Sequence, residues 1–459
     1  MSVFNPLQAD PLPPGSSTRA EVMPLLKLSL PLMIAFAAAT MIGVVDTVMI
    51  APLGTVPLAA AGITTAFLII FLSALWGLVT VIGVSIAQAH GADAPDEVAS
   101  SLRNGLALCA IGGAGAGVLM LLAFPLLPNL NQPPRVIAIL FPYWASMALW
   151  LVPMLMFFAF KTLFDTVDRP WTGVAISYLG VAVNIPLNYV LIHVAGLGLV
   201  GAGIASVLSS SVSLLAAWLF WCHAADFARF RGTVPLQWAR IRQLLRDGLP
   251  ICIGYAGEGT AYAFVGIMLG WFGAVELAAN QVVNAIGGVF YVIPLGMASA
   301  VSIRIGLAIG GQGRARLRPI LWAALWIVVI WMLAITVLYI FGGRAMSEAL
   351  TNDPAVAGLA VKLFIVVALV QVADGIQSST MGALRGMSDN RVPTKITLAC
   401  DWPLALPAAY VIGFFWDYGP VGVWAGYGLG VTLAAILLPI RFRRLTAMPA
   451  ASGPEHRPG

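Results

Sequence analysis

Residues 53–63 read LGTVPLAAAGI and residues 272–282 read FGAVELAANQV. At a displacement of 219 residues Gly54 falls on Gly273, Val56 on Val275 and Leu58-Ala59-Ala60 on Leu277-Ala278-Ala279. The same displacement puts Pro31 on Pro250 and Gly77 on Gly296. Farther along, a displacement of 221 puts Asp168 on Asp389, Pro186 on Pro407, Tyr189 on Tyr410, Gly198 on Gly419 and Gly201 on Gly422. Two displacements that differ by only two residues mark one fold written twice in the chain.

Composition places both copies in a membrane. Of the 459 residues, 60% are hydrophobic and 9% charged, with a mean hydropathy of +0.93; soluble domains carry about 25% charged residues. A water-soluble fold is excluded. Runs of about 20 apolar residues, bounded by charge, Pro or Gly, are long enough to cross as helices. Twelve such runs are found, the first at roughly 25–50 and the last at roughly 420–440. Barrel strands would be about ten residues long and alternating. The expected fold is therefore an all-α polytopic membrane protein, with twelve transmembrane helices in two pseudo-symmetric six-helix lobes around a central cavity. Six crossings per copy give both copies the same orientation, as for repeats related by an axis along the membrane normal. The lobes are expected at 23–222 and 245–440, joined by a basic cytoplasmic linker at 223–244. Residues 1–22 are Pro-rich and polar, lack the apolar stretch of a cleaved signal and read as a disordered cytoplasmic lead-in; 441–459 form a cytoplasmic tail whose end, TAMPAASGPEHRPG (446–459), reads likewise.

With the N-terminus inside, 21 of the 24 Lys and Arg fall on the inner side, and only Arg135, Arg344 and Lys362 fall outside. That asymmetry makes both termini cytoplasmic. It also accounts for the net charge of +5 without a nucleic-acid partner. The four cysteines and four histidines are dispersed, which argues against a disulfide framework, a metal cluster or a Cys/His nucleophile. No enzyme is expected, and no cofactor.

Four of the nineteen acidic residues lie within spans: Asp46, Glu258, Asp374 and Asp401. A carboxylate at a helix centre costs about 2.5–3.5 kcal/mol on insertion scales, and no Lys or Arg falls at comparable depth in the sequence. The counter-charge must come from outside the chain or be a proton. Burial favours the neutral form of a carboxyl and a bound cation favours the charged one, so proton and cation compete at one site. That competition is what an antiporter needs.

Asp46 lies in GVVDTVMIA (43–51), and Asn184 and Asn188 in VNIPLNYV (183–190) share one face of the fifth helix. With a hydroxyl such as Ser206 they would form the oxygen-rich set that an alkali ion prefers; the Asn pair would serve interhelical hydrogen bonding equally well. QVADGIQSSTMGALRG (371–386) spaces Gln371, Asp374 and Gln377 by three, a strip too polar to face lipid. It is expected to line the cavity from the second lobe, which also carries Glu258. Asp401, two residues before Pro403, either lines that cavity or caps backbone freed by the proline. Phe264, Phe290 and Tyr291 would make an adaptable, cation-tolerant wall or simply pack. Pro31 is a candidate hinge.

Four stretches together, DTVMIAPLGTVPLAAAGI, GLPICIGYAGEGTAYAF, NQVVNAIGGVFYVIPLGMASAVSIRIGLAIGG and QVADGIQSSTMGALRGMSDNRVPT, resemble the multidrug and toxic compound extrusion (MATE) transporters, in particular their NorM-like bacterial branch. The resemblance runs over about residues 22–440. It implies a monomeric secondary active exporter of the bacterial inner membrane, surrounded by lipid and contributing to antibiotic resistance. Such a protein expels organic cations such as dyes and antibiotics by antiport with Na+ or H+. The family's first-helix acid matches Asp46, its fifth-helix polar pair Asn184 and Asn188, its NorM-type seventh-helix acid Glu258, and its tenth-helix acid Asp374. Na+ would then sit at Asp46, Asn184 and Asn188, or at Glu258 and Asp374. Asp401 matches no family motif, and Val370 stands where some members carry a tyrosine. A lipid-linked precursor flippase of the same superfamily is the alternative; it would be expected to carry bases in the cavity for a pyrophosphate. A membrane scaffold would not explain four unpaired acids.

Overall fold

The computed structural model describes residues 17–130, 133–232 and 234–447. Among the described residues twelve helices long and apolar enough to cross a membrane follow one another. The first six spans are α1 (Thr18–Ile50), α2 (Thr55–Gly91), α3 (Pro95–Ala123), α4 (Pro134–Thr166), α5 (Pro170–Tyr189) and α6 (Gly198–His223). The next four are α7 (Trp238–Gly270), α8 (Ala274–Gly310), α9 (Leu317–Leu350) and α10 (Pro354–Gly386). The eleventh span is broken into α11 (Arg391–Cys400), a π segment (Asp401–Ala405), α12 (Leu406–Tyr410) and a second π segment (Val411–Phe415), and α13 (Gly419–Ala447) completes the set. Helices dominate because in lipid each backbone N–H and C=O must be satisfied within its own segment. Proline opens α3, α4, α5 and α10 at the one helical position where its missing N–H costs nothing.

The duplication is visible in the backbone. Gly54 and Gly273 precede α2 and α8 with φ of 105° and 148°, a region that only glycine visits without strain. The π segment Val190–Val194 that ends the fifth span recurs 221 residues later as Val411–Phe415. One register differs from the alignment by a residue: the left-handed φ of 61° at Asp168 recurs at Ser388, not at Asp389.

α1 begins at Thr18 and α13 continues to Ala447, so the helices take up parts of the expected lead-in (1–22) and tail (441–459); residues 1–16 and 448–459 lie outside the described residues. The linker is docked, not free. Phe227 and Phe230 are buried, Arg103 donates to Val234 O at 2.6 Å and Arg231 donates to the carbonyls of Trp221 and Ala224.

The two cores trade helix halves. Leu25, Leu28 and Leu32 of α1 join the core built on α8–α13, whereas Ile241, Leu244 and Ile251 of α7 join the core built on α2–α6. Packing thus cuts across chain order, the first part of α1 joining the second core and the first part of α7 the first. Pro31 and Pro250, the matched prolines, lie within these exchanged parts, between Leu28 and Leu32 of α1 and between Leu244 and Ile251 of α7.

Every hydrogen bond and ion pair that joins the lobes among the described residues lies on the side of the termini. Glu21 of α1 bonds Arg304 at 2.7 Å and Arg316 at 2.9 Å, and Gln88 of α2 donates to Gly386 O at 2.9 Å and Ser388 Oγ at 3.0 Å. Between α2 and the pair α7/α8 the backbones touch: a Cβ on Gly77 would lie 2.4 Å from Cys252 N, and one on Gly91 2.2 Å from Leu307 O. The lobes thus form a wedge sealed on the termini side.

Asp168 sits in the turn between α4 and α5, outside the spans. Burial pushes its carboxyl up to about 6, against the opposing pull of Arg304, Arg229 and Arg169. A carboxyl raised in the folded state is a stability loss that accrues as pH rises from the unfolded value, about 4, through about 6 and persists above it. Asp168→Asn removes that loss and suits the left-handed backbone. Its melting temperature should match the parent's near pH 4 and exceed it at pH 7–8, by an amount corresponding to at most about 3 kcal/mol. Equal melting temperatures at pH 8 would contradict this.

Candidate functional site

In the first lobe α5 packs against α1, and the four-residue spacing of Asn184 and Asn188 turns both amides toward Asp46. Asn188 Nδ2 donates to Asp46 Oδ1 at 2.7 Å and to Asn184 Oδ1 at 3.0 Å. From α6, Ser206 donates to Asp46 Oδ2 at 2.8 Å. Asn184, Asn188 and Ser206 are buried, and Asp46 is half-buried. The structure thus brings together the four residues grouped from the sequence, and Asn188 also acts as the interhelical bridge that the alternative reading allowed. Two buried atoms are left over, Asn188 Oδ1 and Asn184 Nδ2. An amide oxygen without a donor beside a carboxylate is a half-built cation site: Asn188 Oδ1, Asn184 Oδ1, Ser206 Oγ and the Asp46 carboxylate offer the oxygens that a proton or a hard monovalent ion takes.

In the second lobe Gln377 of α10 donates to Glu258 Oε1 of α7 at 3.3 Å. Glu258, Asp374 and Asp401 lie close enough to repel one another, yet among the described residues no three acids, histidines or cysteines converge on a single metal position. No ion pair among the described residues involves Asp46, Glu258, Asp374 or Asp401.

The polar strip of α10 faces inward to the lobe more than to the cavity. Gln377 is buried, and Gln371 donates to Tyr339 Oη at 3.4 Å. Phe290 is half-buried and packs edge-on against Tyr339 at 5.8 Å, whereas Tyr291 and Phe264 are exposed at 44% and 38%, Phe264 against Trp402. One expectation needs correction. Asp401 does not line a reachable vestibule, being 1% exposed, and it caps no backbone N–H, since neither carboxyl oxygen has a partner. Pro31, the candidate hinge, is buried within α1, which continues through it.

Bases also reach deeper than their count by side suggests. Lys161 is buried and pairs with Asp165 at 2.6 Å, and Arg304 is held by Glu21 as described above. Arg385 donates to Tyr255 Oη at 2.5 Å and stacks on that ring at 4.1 Å, within coulombic reach of Glu258. Lys161 and Asp165 line a cavity of about 90 Å³ between the lobes with Phe36, Trp76, Phe158 and Tyr255. A larger pocket of about 390 Å³ lies between α7, α8 and α13. There Tyr262 Oη donates to Asn284 Oδ1 at 2.6 Å and Trp424 Nε1 to Asn280 Oδ1 at 3.2 Å. The sequence signal for that pocket was the same as for Asn184 and Asn188, two asparagines four apart in NQVVN (280–284).

The chain matches the MatE family profile twice, over residues 31–190 and 250–411. The two matches begin at Pro31 and Pro250 and end at Val190 and Val411, reproducing displacements of 219 and 221 residues. It is 31% identical over 436 residues to a probable multidrug resistance protein NorM of Xylella fastidiosa, covering 92% of each chain. It is 33% identical over 444 residues to a protein of the same name from Xanthomonas campestris pv. campestris, covering 93% of this chain and 96% of that one. Its fold is that of the Vibrio cholerae MATE transporter VcmN, with a TM-score of 0.87 at 19% identity over 94% of this chain and 98% of the other. An outward-facing multidrug resistance MATE family transporter superposes with a TM-score of 0.84 at 21% identity over 94% and 96% of the two chains. Two repeats in one membrane fold, with acids held between their helices, agree with these matches, and the chain belongs to the MATE family of transporters.

Proposed function

We propose that this protein is a secondary active multidrug exporter of the bacterial inner membrane. In this reading both termini are cytoplasmic, and the exporter expels organic cations in exchange for Na+ or H+. The observation that carries the reading is the Asp46 carboxylate, held by Asn188 and Ser206 beside an unpartnered amide oxygen and with no base. A cation or proton arriving from outside completes that site, and the wedge sealed on the termini side leaves it reachable from the opposite face. Glu258 and Asp374 supply the negative charge that an organic cation meets in the second lobe. When the lobes rock, the same carboxyls face the cytoplasm, where the coupling ion leaves and a new substrate enters. The chain needs no cofactor and works as a monomer. The relatives named NorM support the substrate class, and against the flippase alternative stands Lys161, whose charge Asp165 neutralises.

The test is purified protein in liposomes loaded with a fluorescent organic cation, with a Na+ gradient or a pH gradient imposed separately. One of the two gradients should drive efflux. Glu258→Gln, whose neutral amide is cheaper to bury, should fold normally and lose most of the driven efflux, by about tenfold or more if the carboxylate contributes at least 1.4 kcal/mol. Efflux insensitive to both gradients would sink the reading.

A further inference from the structure

Asp401 is the first residue of the π segment that follows α11, and α7 and α13 pack over it. It is the most enclosed of the four intramembrane acids, at 1% exposure, and both of its carboxyl oxygens are buried without a hydrogen-bond donor. Two of the others differ: Asp46 has a donor on each oxygen and Glu258 has Gln377. The titratable groups that face Asp401 are Glu258 from α7, Tyr427 from α13, Asp374 from α10 and Cys400 on its own helix. None is a cation. Arg385 acts on Glu258, Lys395 of α11 is exposed, and Arg441 of α13 is taken by Asp389 at 3.0 Å.

An ionised carboxylate with neither oxygen bonded and two further acids nearby has nothing to replace its lost hydration, a deficit of several kcal/mol. A shared metal ion does not repair it, because the three acids do not converge on one metal position among the described residues. A proton does, and it needs no ligand sphere. Single-turn π segments of this kind are frequent at functional positions in helices. We propose that Asp401 is a proton-carrying site of the second lobe, protonated at neutral pH in the conformation sealed on the termini side. The acid cluster then presents at most two negative charges to an arriving organic cation, and the third stays stored as an O–H bond. What that stored proton is used for rests on the antiport reading; its presence does not.

The experiment is infrared difference spectroscopy of the full-length protein in lipid nanodiscs at pH 7, comparing the parent with Asp401→Asn. The expected result is the loss of one protonated-carboxyl C=O band, at the high-frequency end where carboxyls without hydrogen-bond partners absorb, with an unchanged melting temperature. Asn matches the neutral acid in shape and charge, so a variant that fails to fold would itself show that the ionised form is required and overturn the proposal. Identical spectra in the protonated-carboxyl region would overturn it too. So would a band that disappears when saturating Na+ is added at constant pH, which would assign Asp401 to an alkali ion. None of these readouts requires transport: loss of the band in a protein that moves no organic cation would leave the proton site standing and remove the exporter reading.

Discussion

Asp46→Asn is expected to give a folded protein in which efflux no longer responds to a cation gradient. The carboxylate accepts from Asn188 on one oxygen and from Ser206 on the other. An asparagine at this position can keep both contacts, its Oδ1 accepting from Asn188 and its Nδ2 donating to the Ser206 hydroxyl, which can reverse its role. What disappears is the charge. Neither a proton nor an alkali ion can then be exchanged at this position, and the pairing of a buried carboxylate with its counter-ion, worth about 3 kcal/mol or more, is lost from the cycle. Driven efflux should fall by about 100-fold, with the melting temperature within a few degrees of the parent's. Asn188→Ala should be milder for charge and worse for structure, because it removes the bridge between α5 and α1. The check is the same liposome assay under both gradients, with thermal unfolding in parallel. Gradient-driven efflux that survives in Asp46→Asn would move the coupling site out of the first lobe.

The first-lobe site was legible in the sequence because its signal is local: an acid in an apolar helix, and two amides one turn apart on another. Helical spacing alone turned Asn184 and Asn188 to the same side, and only the meeting with Ser206 needed three dimensions. The repeat was legible for a similar reason, since turn glycines and prolines at Gly54, Gly273, Pro186 and Pro407 are fixed by backbone geometry that each copy needs. The exchange of α1 and α7 between cores was not. Leu25, Leu28 and Leu32 carry the same apolar spacing whichever lobe they pack against. The buried bases were hidden differently. Glu21 meets Arg304 across 283 residues of chain, so a count of charges by side files both as solvated ends. Asp401 is read from the neighbouring Pro403 alone, and no sequence signal shows that the helix passes into π geometry at that acid and changes the residues per turn there.

Gly310→Val is expected to open the termini-side seal. A Cβ at Gly310 would lie 1.9 Å from Gln88 O and 2.8 Å from Ala92 N, so the obstacle is the backbone of α2 and not a side chain that can swing away. Valine adds two further methyl groups to that contact. Overpacking of this kind costs about 1–3 kcal/mol where side chains can adjust, and at a backbone contact the upper end applies. Because Gly310 and Gln88 belong to different lobes, the strain is relieved by separating the lobes rather than by unfolding either one. A penalty of about 3 kcal/mol on the sealed state changes the balance between sealed and open wedges by about 100-fold. The native thiol of Cys252 reports on it, since Cys252 lies in the same seam against Gly77. With Cys222 replaced by serine, a membrane-impermeant maleimide added from the termini side should label Cys252 at least about tenfold faster in Gly310→Val than in the parent, and driven efflux should fall in step. Gly115→Val, where an added Cβ meets nothing within 4 Å, should change neither. Unchanged labelling in Gly310→Val would mean that the lobes tolerate the methyl groups in place and that the seam is not what holds the wedge closed.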